Sequence, residues 1–366
     1  MLIAAPLPSA TETFPGADTC PVCGSLDFTS IYNDARDPIT LESFRVVKCS
    51  SCGAAYTSPR PASLDPYYPR QYRAYGPLVT RILSIFYGLR VSRWARLKPG
   101  GASVLEVGCG PGLMLAAFRR RGWRVFGIER NEAAAETARK RLGSDTIATS
   151  LHGLPADARF DLIVLFQVLE HISEPVALLQ EYARRLAPGG LLIAGVPNFS
   201  SWQSRFAGPK WMHLDVPRHL VHYTPESLKH TFKCAGLTLS ALSFASFEHD
   251  PYGWVESTIS RATGRTNTLT RFLMGLDEFS PQVLFSCILG IALLPPALLL
   301  AAVSWVAGSG ALMEAIAVDS YAPEKQGAIQ PFAGARFGCS LVSRYSGNSC
   351  GRNTVVIPSK TKSSKK

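Results

Sequence analysis

Val104-Leu-Glu-Val-Gly-Cys-Gly-Pro-Gly112 decides how the rest of this chain is read. A β-forming run with one acid inside it breaks into Gly108, Gly110 and Gly112, and an apolar, helix-prone segment, Leu113 to Arg121, follows at once. That order predicts strand, tight turn and helix N-terminus. Glycine lets the backbone turn sharply and lets a ligand approach with no Cβ in the way. The start of the helix adds N–H groups that have no intrahelical partner. The spacing is G-x-G-x-G, whereas the dinucleotide pattern needs G-x-G-x-x-G, and Leu113 stands where that pattern's last glycine would be.

Downstream the chain alternates strand and helix, which predicts a parallel sheet covered on both faces. The strands fall at Ser103–Val107, Arg124–Glu129, near Thr146–Thr149, at Phe160–Phe166 and at Leu191–Val196. Pro188-Gly-Gly190 is expected to stop the helix before the last of these. Glu129 ends the second strand about 20 residues past the glycines, where an acid accepts hydrogen bonds from ribose hydroxyls. A nucleoside-containing ligand in the crevice at the strand C-termini follows from that placement.

Glu106-Val-Gly-Cys-Gly-Pro-Gly112, Glu129, Phe160-Asp-Leu-Ile-Val164, Leu169-Glu-His171 and Leu186-Ala-Pro-Gly-Gly190 together resemble class I S-adenosylmethionine-dependent methyltransferases, over about residues 100 to 245. The resemblance implies a Rossmann-like α/β fold with a seven-stranded, mostly parallel sheet whose last strand is antiparallel. It also implies roles. Glu106, Gly108, Cys109, Gly110 and Gly112 would hold the methionine part of S-adenosylmethionine, Glu129 the ribose, and Ser150 and Leu151 would flank the adenine. Gln167 would lie beside the cofactor. Methyl transfer from a sulfonium needs the methyl carbon and the acceptor held close and aligned, with a base where the acceptor must lose a proton; it requires no metal.

Asn198 to Tyr223 is a long irregular connection, and such connections are usually functional. It carries Trp202, Trp211, His213, Asp215, Arg218, His219, His222 and Tyr223, and Thr224-Pro225 then caps a helix. Clustered histidine suits proton transfer near neutral pH. His219 or His222 is the expected general base, with Tyr223 and Arg218 positioning the acceptor and His171 facing the same site; capping or packing roles stay open for each histidine.

Ahead of this domain, Cys20-Pro-Val-Cys23-Gly and Cys49-Ser-Ser-Cys52-Gly are separated by 25 residues, with short strands between. Four thiolates in two knuckles predict a closed, tetrahedral, structural zinc site, Cys20, Cys23, Cys49 and Cys52. A paired ribbon before such a domain resembles a subgroup that includes sugar C-methyltransferases. Tyr67, Tyr68, Tyr72 and Tyr75 then crowd a Pro-bounded segment, read either as packing between ribbon and domain or as a lid. Residues 81–98 mix apolar groups with Arg81, Arg90, Arg93, Arg96 and Lys98, an amphipathic basic helix that either packs on the sheet or lies on a membrane surface.

The formal charge is +11, from 38 basic and 27 acidic residues. No RNP-type aromatic motif or helix-turn-helix signal accompanies it, so no nucleic-acid partner is expected; an anionic membrane surface attracts the same charge. Nine cysteines, four of them in the two knuckles, suit a reducing compartment, and residues 1–19 do not read as a signal peptide. Gly236 to Phe244 predicts a sixth strand. From Pro281 to Met313 no residue is charged, and Val283 to Ala307 is long and apolar enough for a membrane span. Gly308 to Asp319 resembles the family's final strand, so both ends of the insert belong on one side, and two half-length helices broken at Pro295-Pro296 would satisfy that.

The expected organisation is a flexible N-terminus (1–19), zinc ribbon and linker (20–76), methyltransferase domain (77–245), an insertion with a hydrophobic hairpin (246–311), the final strand (312–319) and a disordered basic tail (320–366) with eight Lys or Arg against one acid. The function that follows is a cytoplasmic methyltransferase held at the membrane face through residues 283–307. Its acceptor would be a small molecule, a glycan or a lipid-linked group. A C-methyltransferase on a nucleotide-linked sugar is the enzymatic rival, and a non-catalytic scaffold on the same fold is the rival of another class.

Overall fold

The computed structural model describes residues 19–68, 76–99 and 103–320. Tyr72, Tyr75, Cys339, Cys350, most of the N-terminal segment and the basic tail beyond Ser320 lie outside them. Two sheets form the frame. The first begins with β1 (Phe28–Arg36), β2 (Ser43–Cys49) and β3 (Ala55–Ser58). After α1 (Pro77–Ala95), alternation starts: β4 (Ser103–Val107), α2 (Leu113–Arg119), β5 (Arg124–Ile128), α3 (Glu132–Leu142), β6 (Ile147–Ala148), β7 (Phe160–Phe166), α4 (Pro175–Ala183) and β8 (Leu186–Pro197). The rest is α5 (Trp202–Ala207), β9 (Val221–His222), α6 (Pro225–Cys234), β10 (Leu237–Ser243), α7 (Asp250–Thr263), α8 (Thr268–Leu273), α9 (Pro281–Val306) and β11 (Leu312–Asp319).

The large sheet has the order β10-β11-β8-β7-β4-β5-β6. β4 to β8 pair in parallel, and β11 runs antiparallel to both β8 and β10. Its central strands are buried on both faces; all five residues of β4 and six of the seven in β7 are enclosed. This is why they are continuous Val/Leu/Ile runs and not alternating ones. β8 begins earlier than the sequence suggests, because Pro188-Gly-Gly190 forms an irregularity inside the strand instead of ending the helix before it.

The small sheet has the order β1-β2-β3-β9. Its fourth strand comes from much later in the chain: Ala55 pairs with His222 and Tyr56 with Val221. The ribbon therefore shares a sheet and a continuous apolar core with the main domain, from Val46 and Tyr56 to Leu169 and Leu220.

One expectation is corrected. The apolar insert is one continuous 26-residue helix, α9, with Pro295 and Pro296 inside it, not two half-helices. Both prolines are on the exposed side of the helix, and each removes a ladder donor. α1 packs on the main domain through Tyr87, Val91 and Trp94, with Arg81 and Arg96 exposed. Arg90 is buried and ion-paired with Glu248 and Glu314, while Leu78, Ile82, Ile85 and Leu89 are exposed. The two acids come from beyond β10 and from β11, and nothing local to α1 announces them.

Candidate functional site

The glycine loop leaves β4 with Gly108, Gly110 and Gly112 all at positive φ, +69°, +53° and +73°. Gly112 caps α2, and a Cβ there would meet Leu142 Cδ1 at 2.8 Å. A side chain at 112 is therefore excluded by backbone and by space. The Gly108 and Cys109 N–H groups donate to the Ile128 carbonyl, at 2.7 and 3.1 Å. Glu129 is held from both sides, Oε2 accepting from Gly110 N–H at 2.9 Å and Oε1 from Asn131 N–H at 2.7 Å. The loop and the acid at the end of the next strand are one hydrogen-bonded unit.

A cavity beside this unit is lined by Tyr87, Glu106, Gly108, Cys109, Pro111, Leu113, Met114 and Phe166. Burial, and then the charge of Glu129, holds the Glu106 carboxyl well above its usual range; burial also raises Glu129, against the N–H groups that favour its charged form. Glu106 Oε2 and Gln167 Nε2 are buried without hydrogen-bond partners. Gln167 follows β7 at φ +58°, a conformation that L residues seldom adopt and that clusters at functional sites. A buried carboxylate, a buried amide donor and a side-chain-free loop fit a ligand carrying a cationic amino acid end and a nucleoside. Leu151, buried, and Ser150, exposed, follow β6 beyond the Glu129 end of this cavity.

The second cluster lies past β7, where Leu169–His171 forms a single helical turn. Glu170, His171 and His219 are buried, and each brings one ligand-type atom within 4.8 Å of the others'. The His171 and His219 rings meet edge to face at 4.7 Å. His219 Nδ1 is 2.8 Å from the His213 carbonyl oxygen, so that nitrogen carries the proton and donates; Nε2 then holds the lone pair. It lies 4.0 Å from Glu170 Oε1 and 3.9 Å from Asp215 Oδ2.

His222 is set differently. The Thr57 hydroxyl donates to the His219 carbonyl at 2.7 Å, so its oxygen accepts from His222 Nε2, at 3.0 Å. Burial pushes the His222 pKa down to about 3, against the nearby Asp215 charge. It is a neutral donor, and a weak base. Arg218 is wholly enclosed: it donates to Asp37 Oδ1 (2.6 Å), Asp215 Oδ1 (2.7 Å) and the Tyr67 carbonyl (2.9 Å). Tyr223 is buried, and that burial, then the Glu170 charge, keeps its phenol well above its ordinary pKa.

Sequence reasoning missed several partners. Asp37 and Thr57 come from the ribbon; Tyr68, one of the tyrosines already read as packing or lid, sets its hydroxyl 3.1 Å from His171 Nδ1. His249 continues the aromatic path from His213 (6.0 Å) to Phe166 (5.8 Å) at the cofactor cavity. No motif marks these residues. Glu170 and Tyr68 carried a signal, as the neighbour of His171 and as one of the clustered tyrosines.

The four cysteines form a third cluster. Their sulfurs lie within 4.8 Å of one another, with Cys20–Cys52 at 3.5 Å and Cys23–Cys49 at 3.6 Å. Bonds of about 2.3 Å to a tetrahedral zinc ion would set sulfurs about 3.8 Å apart, so the four positions fit that ion.

A methyltransferase-domain family model matches residues 80–242. A ubiquinone biosynthesis O-methyltransferase of Xanthomonas axonopodis pv. citri is 30% identical over 167 residues, 42% of this chain and 70% of that protein. An uncharacterized methyltransferase of Mycobacterium sp. (strain KMS) is 33% identical over 201 residues, 51% of this chain and 76% of that protein. A methyltransferase structure from Archaeoglobus fulgidus is similar at 16% identity and TM-score 0.40, over 64% of this chain and 93% of that one, a likeness too low to decide anything further. With the glycine loop, Glu129 and the seven-stranded sheet in place, the chain belongs to the class I S-adenosylmethionine-dependent methyltransferases.

Proposed function

We propose that this enzyme methylates a hydroxyl of a small-molecule, glycan or lipid-linked acceptor, with His219 as general base, while held at a membrane surface through residues 283–307. The observation that carries the catalytic part is the His219 tautomer: Nδ1 is committed to the His213 carbonyl, and Nε2 faces Glu170 and Asp215. A base so placed takes the acceptor proton, and two carboxylates stabilise the imidazolium that results. The name of the Xanthomonas relative supports oxygen as the methylated atom. The bound cofactor supplies an electrophilic methyl group on a positively charged sulfur. Glu106, Gly108, Cys109, Gly110, Gly112 and Gln167 would hold its amino acid end, Glu129 its ribose, and Ser150 and Leu151 its adenine.

The remaining polar groups position the base. Arg218, fixed by Asp37 and Asp215, holds the turn that carries His219. His171 is fixed by the Arg218 carbonyl (2.8 Å) and Tyr68. His222 pins the segment to Thr57, and Tyr223 accepts from Phe199 N–H through its carbonyl at 2.7 Å. Zinc on Cys20, Cys23, Cys49 and Cys52 would be structural, since four thiolates leave no open position.

The test is transfer of labelled methyl from S-adenosylmethionine into fractionated lipids, glycans and small metabolites. His219→Ala should abolish label incorporation and leave calorimetric cofactor affinity intact. An unchanged rate in His219→Ala overturns the base assignment. Absence of cofactor binding in the native protein favours the scaffold reading, and label on carbon favours the sugar C-methyltransferase.

A further inference from the structure

α9 exposes Ile288, Ile291, Leu298, Leu299 and Val303 at 45 to 76%. Successive residues of a helix point about 100° apart, so the exposed run Leu298-Leu299-Leu300 alone sweeps an arc of roughly 200°. A protein partner covers one stripe; only a surrounding apolar phase solvates so wide an arc. The small residues point the other way. Ser286, Ala297, Ala301 and Ser304 face the protein, and a Cβ on Gly290 would meet Leu269 at 3.2 Å and Val255 at 3.5 Å. Close helix association in lipid uses small residues, and α9 has spent them on α7 and α8.

Contact with the protein runs from Val283 to Ser304, about 32 Å at the helical rise. The helix therefore cannot cross a bilayer without taking α7 and its buried Asp250 and Glu256 along. It lies flat. A second stripe accompanies it: Leu78, Ile82, Ile85 and Leu89 of α1, spaced four, three and four, are 45 to 72% exposed. Phe247-Glu248 joins the two. Phe247, 62% exposed, packs on Trp305 of α9 at 4.7 Å, and Glu248 pairs with Arg90 of α1.

Cations flank both stripes. Arg119, Arg120 and Arg141 line an open groove with Ser84 of α1. Beside the N-terminal half of α9, Arg265 donates to Gln282 at 2.6 Å, next to Arg261. Such placement suits anionic headgroups around an apolar patch.

We infer that α9, the α1 stripe and Phe247 form one monotopic docking surface for a bilayer containing anionic lipid, in which α9 lies in the membrane plane. The inference rests on the membrane attachment proposed above and fixes its geometry. Tyr87, between Ile85 and Leu89, is buried on the opposite face of α1 and lines the cavity beside the glycine loop.

The experiment is flotation of the purified full chain with phosphatidylcholine vesicles, with and without phosphatidylglycerol. Native protein should float, more with the anionic lipid. Ile291→Glu with Leu298→Glu should weaken partition by on the order of tenfold or more, and Leu78→Glu with Ile82→Glu by less, with calorimetric cofactor affinity unchanged in both. Cysteines placed at Glu278 and Ala307 should both react with an impermeant maleimide from the side to which the protein was added. Equal flotation of the Ile291/Leu298 variant overturns the docking surface, and one protected cysteine overturns the in-plane geometry. Failure to float, with a stable dimer that the same variant dissociates, assigns the face to a second copy. Loss of cofactor binding in native protein would sink the methyltransferase reading separately.

Discussion

The two candidate sites are built in different ways. The one proposed for the cofactor is local: Gly110 and Glu129, 19 residues apart, are joined by one hydrogen bond within a single strand-helix-strand unit. The one proposed for the acceptor is assembled from afar. Arg218 meets Asp37 across 181 residues, His222 meets Thr57 across 165, and His171 meets Tyr68 across 103. A local site survives changes elsewhere in the chain. A distributed one depends on every part that contributes to it, here the ribbon above all.

Removing the zinc proposed for the four cysteines is the severest way to test that contrast. Zinc and the fold of a small metal domain stand or fall together. Chelation should unfold the ribbon, release β9 from β3 and eliminate methyl transfer, while the glycine loop still binds S-adenosylmethionine; activity assay and calorimetry on the same sample check both halves. Equal loss of cofactor binding would show that the two sites are not separable. Full activity in metal-free protein would remove zinc from the account.

Asp37→Ala comes next. It leaves the enclosed Arg218 with one carboxylate in place of two. Breaking a buried pair costs about 3–5 kcal/mol, and Asp215 keeps the loss toward the lower figure. Chemical denaturation should register it, with turnover falling and cofactor affinity unmoved. A change of under about 0.5 kcal/mol, the range of an ordinary surface substitution, would mean that the ribbon does not brace this segment.

Glu129→Gln attacks the other site. Its two N–H contacts would be kept only in part, and ribose binding should weaken; charged hydrogen bonds are worth about 1.5–3 kcal/mol, or roughly ten- to a hundredfold in cofactor affinity. Turnover at saturating cofactor should change little. A reversed pattern would place Glu129 on the acceptor side.

The mildest test is pH. Native His222 has its pKa lowered to about 3 by burial, whereas the unfolded chain binds that proton near 6.5. The unfolded state therefore binds more protons below about pH 6.5. The contribution of His222 is complete above that value and is lost as pH falls toward 3. Acid unfolding followed by circular dichroism should show stability declining below about 6.5, and less steeply in His222→Gln.

The contrast also explains what the sequence disclosed. The sheet, the glycine loop and Glu129 were legible because each depends on neighbours within one or two elements: apolar runs of strand length, glycines at fixed offsets, an acid at a strand end. Leu169-Glu-His171 and the histidine-rich segment were visible as composition, and their partners were not. Asp37 and Thr57 carry no mark that sets them apart from any exposed polar residue, and they acquire meaning only through β3–β9 pairing. The same blindness hid the partners of Arg90 on α1. Arg90 looks like a surface cation until Glu248 and Glu314 are placed beside it. Pro295-Pro296 misled for another reason. Helix-breaking residues read from sequence predicted an interruption, whereas the helix runs through both prolines.

The two-residue strand β9 has a consequence for how the protein is made. β3 ends at Ser58, but its neighbour appears only at Val221 and His222. At translation rates of about 5–20 residues per second, the ribbon emerges and waits roughly ten to thirty seconds for the strand that closes its sheet. During that interval β3 is an open edge, able to pair with a neighbouring nascent chain. The ribbon is synthesised before the large sheet and is closed only after most of that sheet has been made. Slow or stalled synthesis between residues 58 and 222 should therefore favour association between chains over completion of the site.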